Sequence, residues 1–382
     1  MLKKGTWAEI NLDNIKYNLH SLKMGLNNQT KICCVVKADA YGHGAIEVSK
    51  VLEKEGIDYL SVARFEEAIE LRNNGIKTSI LCMGYVCEND IKESLKNNIT
   101  LTVYSYDMAL KINNESKKLG IIGNIHLKID TGMNRIGFLP NSDTVDEINK
   151  ISKLENINIE GIYTHFATAD ELDKTETYKQ VANFKYVLEK LKELNIDIEI
   201  KHVSNTASTI DLKELGFNMV RLGIGLYGYY PSLEVSRDII LKPALTLKTK
   251  ITNIKSVKSG TKISYGYTYE FKEDSKVATL SIGYADGFDR TQLNPKVKIN
   301  GSLYDVVGRI CMDQCMVKIP NSINLNIEEE VKIIANEDGI KVEDLAQRSG
   351  TINYEILCAI SRRVSRHYYL DNKLVKSISY IK

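Results

Sequence analysis

The feature of this sequence that most constrains its fold is a regular alternation of short strand-like runs and longer helical patterns. From residue 32 onward, eight runs rich in β-branched and other apolar residues recur along the chain. They span residues 32–36, 59–63, 79–83, 101–103, 125–129, 159–165, 198–203 and 219–227. Between them, stretches such as 65–73, 107–119 and 175–194 carry apolar residues three and four positions apart. Eight strand-helix units in about 200 residues predict an α/β fold, a (β/α)8 barrel of the TIM type.

Polar and small residues gather at the ends of these runs, where the active site of such a barrel lies. The set comprises Lys37 after the first run; Lys128, Asp130 and Arg135 after the fifth; His165 at the end of the sixth; Ser204, Asn205 and Thr206 after the seventh; and Arg221, Gly223 and Ile224 in the eighth. Because the carboxyl ends of parallel strands meet at one face, we expect these side chains to share one barrel mouth.

The alternation stops after residue 231, and an all-β pattern follows. Short strands are predicted over 244–257, 277–284, 296–299, 304–319, 331–334 and 374–381, with helical patterns at 342–348 and 354–362. We therefore predict a barrel domain over residues 1–240 and a mainly β domain over residues 241–382. The alternating segment 6–10 precedes the first barrel strand, so we expect it to pair with the β domain.

Composition limits the classes of partner. With 43% hydrophobic residues, 26% charged residues and a formal net charge of +2, the chain has no electrostatic bias toward nucleic acid or membranes. The amino-terminal segment lacks the apolar core of a signal peptide, which predicts a cytoplasmic protein. The seven cysteines follow no zinc or disulfide spacing, so we expect reduced core thiols, no metal site and small-molecule partners.

Lys37 is the most informative single residue, because a cation ends the apolar run 32–36. A lysine in apolar surroundings either loses its proton or finds a partner, and a neutral lysine forms Schiff bases with carbonyl compounds. The glycines at 42 and 44 would allow close approach of the backbone to a phosphate. The alternative is a strand-end lysine that extends its ammonium to solvent.

The segment 35–44, with the sequence VVKADAYGHG, resembles the cofactor-lysine motif of the alanine racemase family. Further matches span both predicted domains. They are KIDTGMNRIG at 128–137, THFA at 164–167, RLGI at 221–224, SYG at 264–266, GYADG at 283–287, GRICMD at 308–313 and YEIL at 354–357. The resemblance implies the barrel and β-domain order, pyridoxal 5'-phosphate as cofactor, and interconversion of L-alanine and D-alanine for peptidoglycan precursors.

The resemblance also implies two catalytic groups on opposite faces of the substrate. Lys37 would bind the cofactor as a Schiff base and act on D-alanine, and Tyr265 would act on L-alanine. A tyrosine titrates near ~10, so a basic tyrosine needs stabilised negative charge, which His165 and Arg221 would supply. Arg221 would face the pyridine nitrogen and donate a hydrogen bond without protonating the ring. This weaker electron sink favours racemisation over transamination or decarboxylation.

The remaining site residues are likewise implied by the resemblance. Phosphate contacts are expected from Tyr41, Thr206, Gly223, Ile224 and Tyr354, while Ser204 either shares that role or caps the following turn. Arg135 and the backbone of Met312 are expected at the substrate carboxylate, and Lys128 is expected either carbamylated or paired with Asp130. In the family the β domain of one subunit covers the barrel of another, which implies a homodimer with shared active sites.

Three departures from the family pattern and three alternative functions remain at this stage. Leu222 and Asn353 stand where the family usually has proline, and Thr206 stands where serine is common, which puts cofactor affinity in question. The alternatives are a serine or broad-specificity racemase of the same fold, a decarboxylase on the same two domains, and a non-catalytic pyridoxal-phosphate-binding protein. Arg221 and the Tyr265 motif argue against the decarboxylase, and the full β domain argues against the binding protein.

Overall fold

The computed structural model describes residues 5–215 and 217–381, which form two compact units. The barrel unit comprises Lys16–Ala40 and Ala45–Lys242. The β unit comprises the described residues of Met1–Ile15, Tyr41–Gly44 and Pro243–Lys382. The first residues of the chain thus lie in the β unit, and the predicted domain division at 240 and 241 stays a prediction.

The eight predicted barrel strands are all present. Strand β1 (Trp7–Asn11) and helix α1 (Leu12–Lys23) precede them. The barrel strands are β2 (Lys31–Val35), β3 (Tyr59–Val62), β4 (Ser79–Cys82), β5 (Ile99–Val103), β6 (Gly123–Lys128), β7 (Ile157–Tyr163), β8 (Ile200–His202) and β9 (Met219–Leu222). The helical segments are α2 (Lys37–Tyr41), α3 (Ala45–Lys54), α4 (Phe65–Asn73), α5 (Glu88–Lys96), α6 (Tyr106–Leu119), α7 (Ser142–Ile151), α8 (Thr175–Glu193) and α9 (Thr206–Asp211).

All neighbouring strands of this sheet run parallel, in the order β8-β7-β6-β5-β4-β3-β2-β9. The two ends of the order approach each other, because the Asn218 N–H donates to the Lys201 carbonyl at 3.2 Å and the Arg221 N–H donates to the Ser204 carbonyl at 2.9 Å. The sheet therefore closes as a (β/α)8 barrel, which confirms the predicted fold class.

The barrel interior is filled by side chains at its amino-terminal end. Cys33, Tyr59, Leu81, Ile200 and Met219 are buried together there, one from each of five strands. Such a layer makes the barrel a packed core and not a pore. The residues of the barrel mouth lie toward the opposite, carboxyl-terminal face.

Helix α6 illustrates how local sequence sets the element ends. The Ser105 side chain accepts a hydrogen bond from the Met108 N–H, which satisfies one of the unpaired donors of the first turn. Gly120 ends the helix with φ +67°, a left-handed conformation that glycine adopts without a steric cost.

The β unit is built on a nine-stranded sheet. Beside β1, this sheet contains β10 (Leu245–Val257), β13 (Ser275–Leu280), β14 (Lys296–Ile299), β15 (Ser302–Asp305), β16 (Cys315–Ile319), β17 (Glu330–Ile334), β18 (Ser365–Leu370) and β19 (Lys373–Ile378). Strands β11 (Lys262–Ile263) and β12 (Tyr269–Glu270) form a separate two-stranded sheet. Helices α10 (Val342–Ser349) and α11 (Asn353–Cys358) interrupt them. Strand β1 pairs with β10 and β18, as expected for the amino-terminal alternating segment.

Several details differ from the sequence-based expectations. The predicted run 304–319 is two strands, β15 and β16, and strand β18 was not predicted. Gly223 and Ile224 lie beyond β9, where the backbone turns into a short 3₁₀ helix, and His165 lies two residues beyond β7. The expectation of core thiols is wrong for Cys87 and Cys358, which are exposed.

Candidate active site

Lys37 lies just beyond the carboxyl end of β2 and opens a left-handed turn. Residues 38–41 all have φ between +52° and +53°, although none of them is glycine. This conformation costs roughly 1–2 kcal/mol per L-residue because Cβ approaches the following carbonyl. Strain of this kind is found where a fold holds a functional side chain in place.

Side chains from the neighbouring elements hold the turn in this conformation. The Ala38 N–H donates to Glu67 Oε1 at 2.6 Å, and Asp39 Oδ1 accepts from the Ala45 N–H at 2.9 Å. The other carboxylate oxygen of Glu67 binds the N–H groups of Ala63 and Arg64. The backbone that carries Lys37 is therefore tied on both sides.

Arg221 is the buried cation of the barrel mouth, with 3% of its surface exposed. Its Nη1 donates to His202 Nδ1 at 2.9 Å, and its Nη2 donates to the carbonyls of Thr164 and Val203 at 2.8 and 2.9 Å. Burial lowers the pKa of Arg221 to about 10, so it stays protonated at neutral pH. Among the described residues, no carboxylate forms an ion pair with it.

His165 lies beside Arg221 and is neutral. Arg221 Nη2 is 3.3 Å from His165 Nδ1, which must accept because a guanidinium only donates, so the His165 proton lies on Nε2. Burial lowers the pKa of His165 well below its ordinary value, and the nearby charges of Arg221, Arg135, Lys128 and Lys37 lower it further. The structure thus brings these predicted residues together at one mouth.

Lys128 and Asp130 do not form an ion pair, which removes one of the two expectations for Lys128. Burial, and then the charge of Arg221, lower the pKa of Lys128 to about 7, and its Nζ donates to the Ile129 carbonyl at 2.8 Å. The Asp130 carboxylate instead accepts the N–H groups of Gly132, Asn134 and Arg135 at 2.7–3.1 Å. Asp130 therefore shapes the loop that carries Arg135.

Buried hydroxyl groups and backbone donors follow β8 and β9. Ser204 and Thr206 are both buried. Thr206 Oγ1 accepts the N–H of Gly223 at 3.0 Å and that of Gly225 at 3.4 Å, so its own proton remains available to a ligand. A Cβ at residue 225 would lie 2.6 Å from Thr206 Cγ2, so glycine permits this close packing.

The remaining predicted site residues belong to the β unit. The rings of Tyr41 and Tyr354 lie 5.9 Å apart. Tyr265 occupies the loop between β11 and β12 with 64% of its surface exposed, and Met312 is 52% exposed. The Arg290 guanidinium lies 6.0 Å from the centre of the Tyr265 ring.

Sequence reasoning missed the buried polar residues below Arg221. His126 lies inside β6, Tyr163 and His202 are the last residues of β7 and β8, and all three are buried. The Tyr163 ring stacks on His202 at 4.7 Å, and the Arg221 guanidinium lies 5.4 Å from the Tyr163 ring centre. The available signal was the presence of isolated histidines within otherwise apolar strand runs.

Two family models match the chain. "Alanine racemase, N-terminal domain" matches residues 10–231, and "Alanine racemase, C-terminal domain" matches residues 244–368. A relative from Methanococcus maripaludis named alanine racemase is 49% identical over 371 residues, covering 96% of this chain and 100% of the relative.

Solved structures give the same result. The alanine racemase of Clostridium difficile 630 superposes with a TM-score of 0.97 at 53% identity, covering 100% of both chains. A structure of alanine racemase from the same organism in complex with cycloserine has a TM-score of 0.95 at 51% identity, again covering 100% of both chains. Family matches over both domains and near-complete overlap with these relatives establish that the chain belongs to the alanine racemase family.

Proposed function

We propose that this chain interconverts L-alanine and D-alanine with pyridoxal 5'-phosphate, and thereby supplies D-alanine for peptidoglycan precursors. The observation that carries the proposal is the barrel mouth, where Lys37 follows the first barrel strand and a buried Arg221 has no carboxylate partner among the described residues. A carboxylate there would protonate a ring nitrogen, whereas a guanidinium only donates a hydrogen bond to it.

The donor set of the mouth fits this cofactor. Arg221 is a buried hydrogen-bond donor. Thr206 Oγ1 accepts the backbone N–H groups of Gly223 and Gly225, which leaves its own proton available to a ligand. The residues that would hold the cofactor are Lys37 through a covalent bond, Arg221 at the ring nitrogen, and Ser204, Thr206, Gly223 and Ile224 at the phosphate. Tyr41 and Tyr354 are added as phosphate ligands on the family resemblance alone. When bound, pyridoxal phosphate withdraws electrons from the substrate α-carbon and makes its hydrogen acidic.

The protein groups then move one proton on each face of the substrate. Lys37 Nζ would take or return the proton on the D side, and the Tyr265 oxygen would do so on the L side. A negative charge on the Tyr265 oxygen would be stabilised by the Nε2–H of His165, whose orientation is set by the Arg221 bond to its Nδ1. We assign these roles to the four residues as one acid-base set.

Arg135 and the backbone of Met312 would bind the substrate carboxylate. The Arg135 charge suits a carboxylate, and its loop is fixed by the bonds to Asp130. With a pKa of about 7, Lys128 is largely neutral at pH 8 and can react with carbon dioxide. We propose that it forms a carbamate, whose negative charge would orient the Arg135 guanidinium.

A second copy of the chain would complete the site. Tyr265 and Met312 are more than half exposed within one chain, so their proposed roles require a surface that covers them. We propose a homodimer in which the β unit of each copy serves the barrel of the other. We also propose a cytoplasmic location; among the described residues, no helix is long and apolar enough to cross a membrane.

The test is incubation of the purified protein with L-alanine, L-serine or L-lysine and pyridoxal phosphate in deuterated water. We expect loss of optical rotation and incorporation of deuterium at the α-carbon, fastest with alanine. Faster turnover of serine would replace the substrate assignment, loss of carbon dioxide would indicate a decarboxylase, and no reaction would indicate a binding protein.

A further inference from the structure

A chain of buried polar side chains extends from Arg221 through the barrel interior. Arg221 Nη1 is 2.9 Å from His202 Nδ1, and His202 Nε2 is 3.0 Å from His126 Nδ1. His126 Nε2 in turn lies 3.4 Å from Glu160 Oε2. This last step is the longest, and its alignment falls short of a hydrogen bond, so the buried Nε2 has no hydrogen-bond partner among the described residues. The Glu160 carboxylate is nevertheless the acceptor that faces this nitrogen at ion-pair distance.

Two local features of the fold bring the carboxylate to this place. The pairing of β6 with β7 shifts register between Ile125 and His126, which leaves Glu160 as the additional residue of β7. A bulge of this kind turns a side chain away from its regular direction. Next to it, a Cβ on Gly161 would lie 2.5 Å from the His126 ring, so only glycine leaves room for that ring.

Arg221 fixes the position of each proton along this row of polar side chains. Arg221 can only donate, so His202 Nδ1 accepts and its proton lies on Nε2. That proton makes His126 Nδ1 an acceptor, which leaves the His126 proton on Nε2, directed at Glu160. Burial lowers the pKa of both histidines, so each is neutral and links the guanidinium to the carboxylate.

The Glu160 carboxylate, at the far end of this row of polar side chains, is held as an anion. Burial alone would raise the pKa of Glu160, but the neighbouring His126 and Tyr59 outweigh burial and leave the pKa below its ordinary value. Thr100 Oγ1 adds a hydrogen bond to Oε2 at 3.2 Å. The carboxylate is therefore ionised at neutral pH.

We infer that Glu160 is the remote counter-charge and positioning residue of Arg221, acting through His126 and His202. It offsets the burial of a guanidinium that lacks a direct carboxylate, and it fixes the orientation in which Arg221 donates to His165 and toward the barrel mouth. The catalytic part of this inference rests on the proposed racemase function, whereas the proton arrangement does not.

The first measurement is side-chain ¹⁵N NMR of the histidines in the purified wild-type protein, which requires no turnover. We expect His126 and His202 to be neutral, with the proton on Nε2 in both. A proton on His202 Nδ1 would overturn the inference even if the protein racemises alanine. Failure of the racemase assay alone would leave this result standing and remove only the proposed function.

The second measurement is steady-state racemisation by Glu160→Gln, His126→Asn and the double variant. The near-isosteric Glu160→Gln keeps an acceptor but removes the charge, and His126→Asn breaks the link to Glu160. Partners that orient a site group from outside it typically contribute tenfold or more, so we expect each single variant to lower kcat about tenfold at unchanged KM. Because both changes interrupt the same row of polar side chains, the double variant should lose no more activity than the more damaging of the two single variants.

Glu53→Gln is the matched control. Glu53 also accepts several hydrogen bonds in the barrel unit, from the N–H groups of Lys77 and Thr78, but it is not linked to Arg221. We expect its kcat to stay within about twofold of wild type, as for most changes away from a site. Equal kcat values for Glu160→Gln and Glu53→Gln, or losses that multiply in the double variant, would contradict the role of Glu160.

Discussion

The barrel mouth and the aromatic loops of the β unit differ in how far a single chain prepares them. Arg221 is 3% exposed and bonded to several barrel groups, whereas Tyr265 is 64% exposed and lies in a loop. Burial and neighbouring cations shift the pKa values of His165 and Lys128 in the barrel. The groups that we propose to hold the cofactor are thus fixed within one chain, whereas the group that we propose as the second acid-base residue lies exposed, where a second copy would have to cover it.

The largest effect should come from the barrel half. Replacing Lys37 with alanine removes the proposed covalent anchor and one of the two proposed acid-base groups, so we expect activity to fall by about 10⁴-fold, the upper range for such groups. The visible absorbance of bound cofactor should also disappear, as measured by spectroscopy after dialysis. Lys31→Ala, at the amino end of the same strand, is the control and should retain both. Retained absorbance in Lys37→Ala would refute the anchor.

A smaller and directional effect is expected in the β half. Tyr265→Ala should keep the cofactor absorbance but slow racemisation about 10²–10³-fold in both directions, because each direction needs both groups. The exchange of the α-hydrogen should slow most strongly for L-alanine, because only that face loses its acid-base group. Initial α-deuteration rates from each enantiomer measure this asymmetry. Tyr267→Ala removes an equally exposed tyrosine two residues away and should have little effect. Normal turnover of L-alanine by Tyr265→Ala would disprove the two-base assignment.

The smallest effect concerns stability and pH. The folded pKa of Lys128 is about 7, below the ordinary lysine value of 10.5, so between these values the unfolded chain binds a proton that the folded chain has released. Stability contributed by this group therefore rises with pH over that window and is lowest below pH 7. Lys128→Met removes this dependence, so the difference in unfolding free energy between the variant and wild type should shift by about 2 kcal/mol in favour of wild type from pH 7 to pH 9.

Denaturant unfolding in carbon-dioxide-free buffer measures this difference. Lys262→Met, which changes an exposed lysine of the β11–β12 hairpin, should show no pH-dependent difference from wild type. A constant difference between Lys128→Met and wild type at both pH values would contradict the lowered pKa of Lys128.

Much of the barrel could be predicted from sequence because apolar strand runs and the convergence of their carboxyl ends leave few arrangements. The left-handed turn at 38–41 could not, because alanine and aspartate there give no sign of positive φ. Strand β18 was missed because Arg366 resembles a surface residue, although it is fully buried and donates to the Gly42 and Ile360 carbonyls.

The link between Glu160 and His126 was hidden for a different reason. Side chains alternate along a regular strand, and the bulge in β7 breaks that alternation at the residue concerned. Pairing register is a long-range property, so a single strand sequence does not reveal it. The residues at strand ends were predictable, whereas the polar chain inside the barrel needed the structure.

Subunit complementation tests most directly whether the two halves meet between copies. Lys37→Ala and Tyr265→Ala proteins are mixed, dissociated and reassociated, and racemisation is compared with the unmixed variants. Random pairing makes half of the dimers mixed, each with one intact site of two, so we predict recovery of about a quarter of wild-type activity. Recovery of no activity, with mixed dimers demonstrated by mass spectrometry, would contradict an active site shared between two chains.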